Sequence, residues 1–184
     1  MYEAFLVALW AALCGIDKYD VALNFHRPLI TGPVIGFILG DVQTGLIAGA
    51  AMELAWLGLV PNAGSQPPDV TIGAIVGTAF AIKLGITPEA SIGMAIPFAM
   101  AMQALVIFLF TSFSPVMQKC DRYAEQGNAS GIDRMLYFGL ATRAVLYGVV
   151  AFAAVYYGTQ AADFIISYLP EKVIAGMAIA GKMM

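Results

Sequence analysis

The lengths of the charge-free stretches limit what this chain can fold into more than any other feature of its sequence does. Only two of them, Ala90–Gln118 and Ala144–Ala162, reach the roughly 20 apolar residues that a helix needs to cross a bilayer. The remaining apolar runs are shorter, and charged residues bound each of them. A helix of about 13 residues reaches about 20 Å, which is less than the hydrocarbon thickness of about 30 Å. The sequence therefore predicts complete spans together with shorter embedded pieces.

Composition excludes most other classes of protein. The 184 residues are 60% hydrophobic and 11% charged, and the net charge is −3. A soluble domain carries about 25% charged residues, and a nucleic-acid-binding protein needs a basic surface. With two cysteines and one histidine we expect neither a disulfide scaffold nor a zinc site, and no P-loop or Gly-x-Ser-x-Gly sequence occurs. We therefore expect an integral membrane protein with no cofactor, no nucleic-acid partner and no catalytic residues.

Helix-breaking residues are concentrated between residues 28 and 86. Such residues persist at membrane depth only where neighbouring protein satisfies the freed backbone groups, and transporters use the resulting half-helices to build binding sites. The sequence thus predicts a single all-α integral membrane domain over 1–184, multi-span with broken or re-entrant helices. We place the broken helices at 28–86 and the spans at 90–113 and 136–162. The prolines of the broken region are Pro28, Pro33, Pro61, Pro67 and Pro68.

The most polar stretch of the chain, residues 119–134, separates the two spans. We predict an aqueous loop here, and its basic residues favour the cytoplasmic side of the membrane. Its charged residues are Lys119, Asp121, Arg122, Glu125, Asp133 and Arg134.

Glycines recur at every fourth position in three places. This spacing predicts helices in close contact, with a smooth surface for domain movement as the alternative. The glycines concerned are Gly32, Gly36 and Gly40, then Gly45 and Gly49, then Gly73 and Gly77.

Two carboxylates, Asp41 and Glu53, interrupt otherwise apolar sequence. Ionisable groups at membrane depth are expensive and usually face a cavity or a partner. The two lie about 18 Å apart along a continuous helix, so they share a site only if the chain folds back. Asp41 also suits a helix N-cap, whereas Glu53 is expected to line a cavity.

A polar and rigid segment, Pro61–Asp69, lies between two apolar runs. Asn62, Gln66 and Asp69 supply donors and acceptors of the kind that recognise sugar hydroxyls, although an ordinary exposed loop is the alternative. His26, the only histidine, could be a phosphohistidine, a proton relay or a structural residue.

Residues 26–82 resemble the signature region of the IIC subunit of mannose-family phosphoenolpyruvate-dependent phosphotransferase systems. The preceding Gly15-Ile16-Asp17 also fits that pattern. The matching elements are His26-Arg27-Pro28, Gly36–Asp41, Gly45, Glu53-Leu54-Ala55-Trp56, Gly58, Pro61, Gly64 and Gln66-Pro67-Pro68.

The resemblance implies a sugar permease subunit of the bacterial inner membrane. Such a subunit pairs with a membrane subunit, IID, as a trimer of IIC–IID pairs, and cytoplasmic IIA and IIB proteins complete the system. Because the phosphohistidine is on IIB, this chain would not be the enzyme and His26 need not be phosphorylated. We expect Glu53, Asn62, Gln66 and Asp69 to bind sugar hydroxyls, with Asp41 and Asp17 supporting. Asp69 stands where the family more often has asparagine.

Several alternatives remain open from the sequence. The chain could be an ion-coupled secondary transporter or channel component, or a non-transporting scaffold for a IID partner. Mannose, fructose, sorbose and N-acetylated amino sugars all occur among such systems, and the segment from Asn62 to Asp69 resembles the N-acetylhexosamine members. Family chains continue beyond the apolar stretch Val173–Met184, so this is either a shortened version or part of the protein.

Overall fold

Every regular element in the described part of the chain is helical, which confirms the predicted all-α class. The computed structural model describes residues 1–59 and 66–168, with side chains as far as residue 158. Asn62 and the stretch Val173–Met184 lie outside the described residues. The helices are α1 (Tyr2–Ile16, continued by a π-helical turn Asp17–Val21), α2 (Pro28–Leu39), α3 (Val42–Trp56), α4 (Val70–Leu84), α5 (Pro88–Ser112), α6 (Ser114–Glu125) and α7 (Ala129–Tyr168).

Within the described residues, two segments are long and apolar enough to cross a membrane. They are Pro88–Glu125 and Ala129–Gly158, and they overlap the spans predicted at 90–113 and 136–162. Large apolar side chains on both point outward, for example Phe108 at 71% and Val145 at 63% exposure. An apolar outer surface of this kind suits lipid or a second membrane subunit.

The predicted broken-helix region contains three short helices, α2, α3 and α4, of 12, 15 and 15 residues. Gly40, with φ +89°, ends α2 in the left-handed conformation and lets the chain turn back into α3. The central helix is α4, in which every residue from Thr71 to Ala81 is buried. Helix α4 therefore forms the interior of the molecule, while α2 and α3 each bury only part of their surface.

The α2–α3 hairpin is held at backbone contact by the predicted glycine stripe. A methyl group on Gly32 or Gly36 would overlap the backbone of α3, and one on Gly45 or Gly49 would overlap that of α2. These glycines therefore act as the predicted close-packing surface.

Residues 119–134 form helix rather than the predicted aqueous loop. They comprise the end of α6, a turn at 126–128 and the beginning of α7. Gly127, with φ +64°, lets the chain reverse there. No residue of α6 is buried. Its charges follow a helical spacing, and they therefore form the polar face of a surface helix.

Helices α1 and α7 pack against each other, and both contact α4. The ring of Tyr147 on α7 lies directly over Gly15 of α1, where an added Cβ would be 2.8 Å from the ring. Tyr147 is fully buried in the main core, together with Ile72 and Phe80 of α4. This packing brings the end of α1 close to the beginning of α4.

Candidate functional site

A cavity of about 140 Å³ lies where the beginning of α2, the end of α3 and the beginning of α4 meet. Glu53, which we expected to line a cavity, does so here, together with Arg27 and Trp56. Apolar residues complete the lining: Pro28, Leu57, Leu59 and Val70.

The carboxylate of Glu53 is paired at the edge of this cavity. It accepts hydrogen bonds from the guanidinium of Arg27 and from the backbone N–H of Leu29, the latter at 3.3 Å. Arg27 is the N-cap of α2, so the N–H of Leu29 lies in the first helical turn and faces the negative charge from the positive end of the helix. The Glu53 side chain is 13% exposed. The pair therefore offers an anionic acceptor and a cationic donor without a net charge.

Trp56 is a cavity residue that sequence reasoning did not single out as a site residue. Its side chain is buried at 5% exposure, and its indole N–H has no hydrogen-bond partner among the described residues. The sequence showed Trp56 only as part of the Glu53–Trp56 motif. A tryptophan at the end of an apolar helix more often belongs to a core, and no local signal separates the two roles.

Asp69 is fully buried outside the cavity lining and holds three donors. One oxygen accepts from the backbone N–H of Ile72 at 2.8 Å, which caps α4. The other accepts from the Lys18 ammonium at 2.7 Å and from the Tyr147 hydroxyl at 2.5 Å. Its own N–H donates to the carbonyl of Ala99 at 3.0 Å. Asp69 therefore joins α1, α4, α5 and α7.

Asp17 fixes the connection between α1 and α2. It is 2% exposed and accepts hydrogen bonds from the backbone N–H of Leu23 at 2.6 Å and from Nδ1 of His26 at 2.8 Å. Burial by itself would raise the pKa of the Asp17 carboxyl, but the hydrogen bonds from His26 and Leu23 outweigh it and hold the pKa below its usual range. Because Arg27 follows His26 directly, this connection positions the guanidinium at the cavity.

The other predicted site residues lie elsewhere. Asp41 caps α3 by accepting from the backbone N–H of Thr44 at 2.9 Å, which is the N-cap alternative noted above. Since α3 is continuous, Asp41 and Glu53 lie at its opposite ends. Gln66 is exposed and accepts a hydrogen bond from Gln103 of α5. Within the described ranges, no three potential metal ligands come together.

Comparison with known proteins gives consistent matches over the whole chain. The family model described as "PTS system sorbose-specific IIC component" matches residues 1–184. The putative N-acetylgalactosamine permease IIC component 2 of Escherichia coli K12 is 46% identical over 66% of this chain and 91% of its own length. The N-acetylgalactosamine permease IIC component 1 of the same strain is 32% identical over 98% of this chain and 68% of its own length. The mannose-specific EIIC component of that strain is 31% identical, over 97% and 67% respectively.

Two solved structures have the same fold. One is the cryo-EM structure of the mannose transporter ManYZ in complex with microcin E492, with a TM-score of 0.79 and 30% identity over 98% of this chain and 73% of the solved chain. The other is described as a membrane protein, with a TM-score of 0.87 and 30% identity over 98% and 74%. The arrangement of short and long helices is thus one that membrane transporters use.

Proposed function

We propose, from the premise that this chain belongs to the sorbose-type family of phosphotransferase-system IIC permease components, that the cavity at Arg27, Glu53 and Trp56 binds the transported sugar. The family confirms the predicted resemblance, the membrane location and the function of a sugar-translocating subunit. It also confirms that the chain is a transport subunit and not the phosphotransferase enzyme. A sugar substrate and a membrane-embedded IID partner belong to the same system.

The observation that carries the proposed site is the Glu53–Arg27 pair at the edge of the cavity. A sugar hydroxyl both donates and accepts, so it can donate to the carboxylate while a neighbouring oxygen accepts from the guanidinium. Because the two charges compensate each other, the cavity avoids the cost of an unpaired ion at membrane depth. A largely apolar pocket with a few convergent polar groups is the usual form of a small-molecule site.

The remaining predicted contacts divide into two groups in this proposal. Asn62, which lies outside the described residues, and Gln66, which accepts from Gln103 outside the cavity lining, stay predicted sugar contacts. Asp69 and Asp17 support the site by holding helix positions, and Asp41 supports it only through α3. We propose an N-acetylated amino sugar as substrate, which agrees with the names of two relatives that are N-acetylgalactosamine permease components.

The wider assembly follows from the resemblance. In the proposal, a phosphohistidine of cytoplasmic IIB phosphorylates the sugar on the inner face of the bacterial cytoplasmic membrane, and IIA supplies the phosphoryl group. IIC–IID pairs assemble as trimers. The basic residues Lys119, Arg122 and Arg134 favour a cytoplasmic position for α6 and the beginning of α7.

Uptake by right-side-out vesicles that contain the chain and IID tests the function. Sugar phosphate should accumulate only when IIA, IIB and phosphoenolpyruvate are supplied inside. Accumulation of free sugar driven by a proton gradient would instead show an ion-coupled transporter. No uptake with every partner present would show a scaffold that packs IID without transporting.

A further inference from the structure

We propose that Trp56 determines sugar specificity by donating its indole N–H to an oxygen atom of the bound sugar. The inference rests on the proposed function of the cavity and adds to it a residue that the predicted site lacked. Three observations carry it: an unpaired donor, a fixed ring and the complementary chemistry of the neighbouring carboxylate.

The first observation is that the indole N–H of Trp56 is buried without a partner among the described residues. Buried donors are nearly always paired in native structures, so an exception points to a missing acceptor. The other tryptophan, Trp10, has its partner, since its Nε1 donates to Oγ1 of Thr31 at 3.3 Å. The hydroxyls of Thr71 and Thr78 are also unpaired within the described part of the chain, but neither residue lines the cavity. Of these three residues, only Trp56 both has an unpaired buried polar atom and lines the cavity.

The second observation is that the Trp56 ring is packed tightly against α4. Its six-membered ring fills the space over Gly73 of α4, where an added Cβ would overlap Cη2. Met52, one turn earlier on α3, occupies the corresponding space over Gly77. These two glycines therefore act as seats for α3 side chains, and the seat at Gly73 holds the Trp56 ring beside the cavity that it lines.

The third observation concerns the polar groups around the cavity. The Glu53 carboxylate only accepts hydrogen bonds and the indole N–H only donates. A sugar satisfies both because each hydroxyl has a donor and acceptor lone pairs, and an acetamido carbonyl accepts. A site that leaves a buried polar group unpaired rejects an analogue that lacks the matching atom. Trp56 would thus discriminate between sugars that differ at one oxygen.

Matched tryptophan variants test the assignment in the complex with IID. Calorimetric titration should show N-acetylgalactosamine binding about threefold to tenfold more weakly to W56F than to the parent, which corresponds to one lost hydrogen bond. W10F should bind like the parent because Trp10 lies outside the cavity lining. Parent affinity in W56F, or an equal loss in W10F, would overturn the assignment. A parent complex that binds none of N-acetylgalactosamine, mannose, sorbose and fructose would overturn the proposed function first.

A series of monodeoxy sugars identifies the oxygen concerned. One analogue should lose affinity for the parent but show no further loss with W56F, because the same hydrogen bond is already absent. If every analogue loses as much affinity for W56F as it loses for the parent, the indole N–H contacts no sugar oxygen.

Two further measurements do not depend on the folding of W56F. In W10F, Trp56 is the chain's only tryptophan, and its emission should change on sugar addition, whereas an unchanged emission would count against the proposal.

The second measurement uses Gly73→Ala, which should weaken sugar binding because the methyl group displaces the Trp56 ring. The matched Gly77→Ala overlaps the flexible end of Met52 and comes within 3.2 Å of Ala95 Cβ, but it does not meet the Trp56 ring and should bind normally. Equal affinities in the two glycine variants would contradict the seat at Gly73.

Discussion

Two carboxylates of the broken-helix region, Glu53 and Asp69, each pair with a cation, yet their surroundings differ. Glu53 is 13% exposed, lines a cavity and accepts from Arg27 and one backbone N–H. Asp69 is fully buried and accepts from Lys18, Tyr147 and the backbone of Ile72. Both are pairs of a carboxylate with a cation, but only the Glu53–Arg27 pair lines a cavity.

The difference shows what separates a binding carboxylate from a structural one. A carboxylate has about four lone-pair positions. Three donors nearly saturate Asp69, while Glu53 keeps acceptor capacity for a ligand. The distinction depends on how many donors each oxygen already holds, and not on burial or charge alone.

Of the variants that test this comparison, Asp69→Ala should have the largest effect, which is a loss of stability. The substitution removes the cap of α4 and leaves the Lys18 ammonium and the Tyr147 hydroxyl without their acceptor. Breaking a buried pair in this way costs roughly 3–5 kcal/mol, so we expect the detergent-solubilised complex to unfold at a much lower temperature. Thermal unfolding followed by intrinsic fluorescence measures it.

The matched variant is Asp69→Asn, which keeps an acceptor for the backbone of Ile72. It should lose less stability than the alanine variant, and sugar affinity should persist in whatever fraction folds. If a stable Asp69→Asn complex cannot bind sugar, then Asp69 contacts the sugar directly. In that case Asp69 is a binding carboxylate like Glu53 and not a structural one.

Glu53→Gln should give the opposite result, a loss of transport with little loss of stability. A charge-assisted hydrogen bond is worth about 1.5–3 kcal/mol, so sugar uptake should fall about tenfold to a hundredfold. Arg27 is partly exposed and can be solvated when its partner is neutral, so membrane insertion and the unfolding temperature should be retained. Vesicle uptake together with thermal unfolding checks both. Unchanged uptake would take Glu53 out of the site.

The broken region was predictable from sequence because its causes are local. Prolines and glycines interrupt helices wherever they occur, and the charge-free runs limit the length of a span directly. The four-residue glycine spacing likewise predicted backbone contact, which the α2–α3 hairpin shows.

The role of Asp69 was not predictable, because its partners are distant in sequence. Lys18 precedes it by 51 residues and Tyr147 follows it by 78. A polar segment between two apolar runs looks like a sugar-binding loop, and only the packing of α1 and α7 against α4 shows that the last residue of that segment is buried. The same reasoning applies to Trp56, whose fixed position depends on Gly73 of another helix.

A smaller effect is expected for Tyr147→Phe, which removes one of the three donors to Asp69. The Lys18 and Ile72 contacts remain, so the loss should be about 1.5–3 kcal/mol, the value of one hydrogen bond to a charged group. Sugar affinity should be unchanged. Thermal unfolding measures the loss, and the exposed Tyr157 on the same helix provides the control through Tyr157→Phe. If the two variants unfold at the same temperature, the hydroxyl of Tyr147 contributes nothing to the network.

The smallest effect is expected for Asp41→Asn, at the end of α3 that is remote from Glu53. Asparagine caps a helix about as well as aspartate, and its side-chain oxygen can still accept from the backbone N–H of Thr44. Unfolding temperature and sugar uptake should therefore match the parent, whereas Asp41→Ala should lower the unfolding temperature and leave uptake unaffected. Vesicle uptake normalised to the inserted protein separates the two properties. Uptake lost in the asparagine variant would mean that the charge at Asp41 takes part in transport, and that the site extends along the whole length of α3.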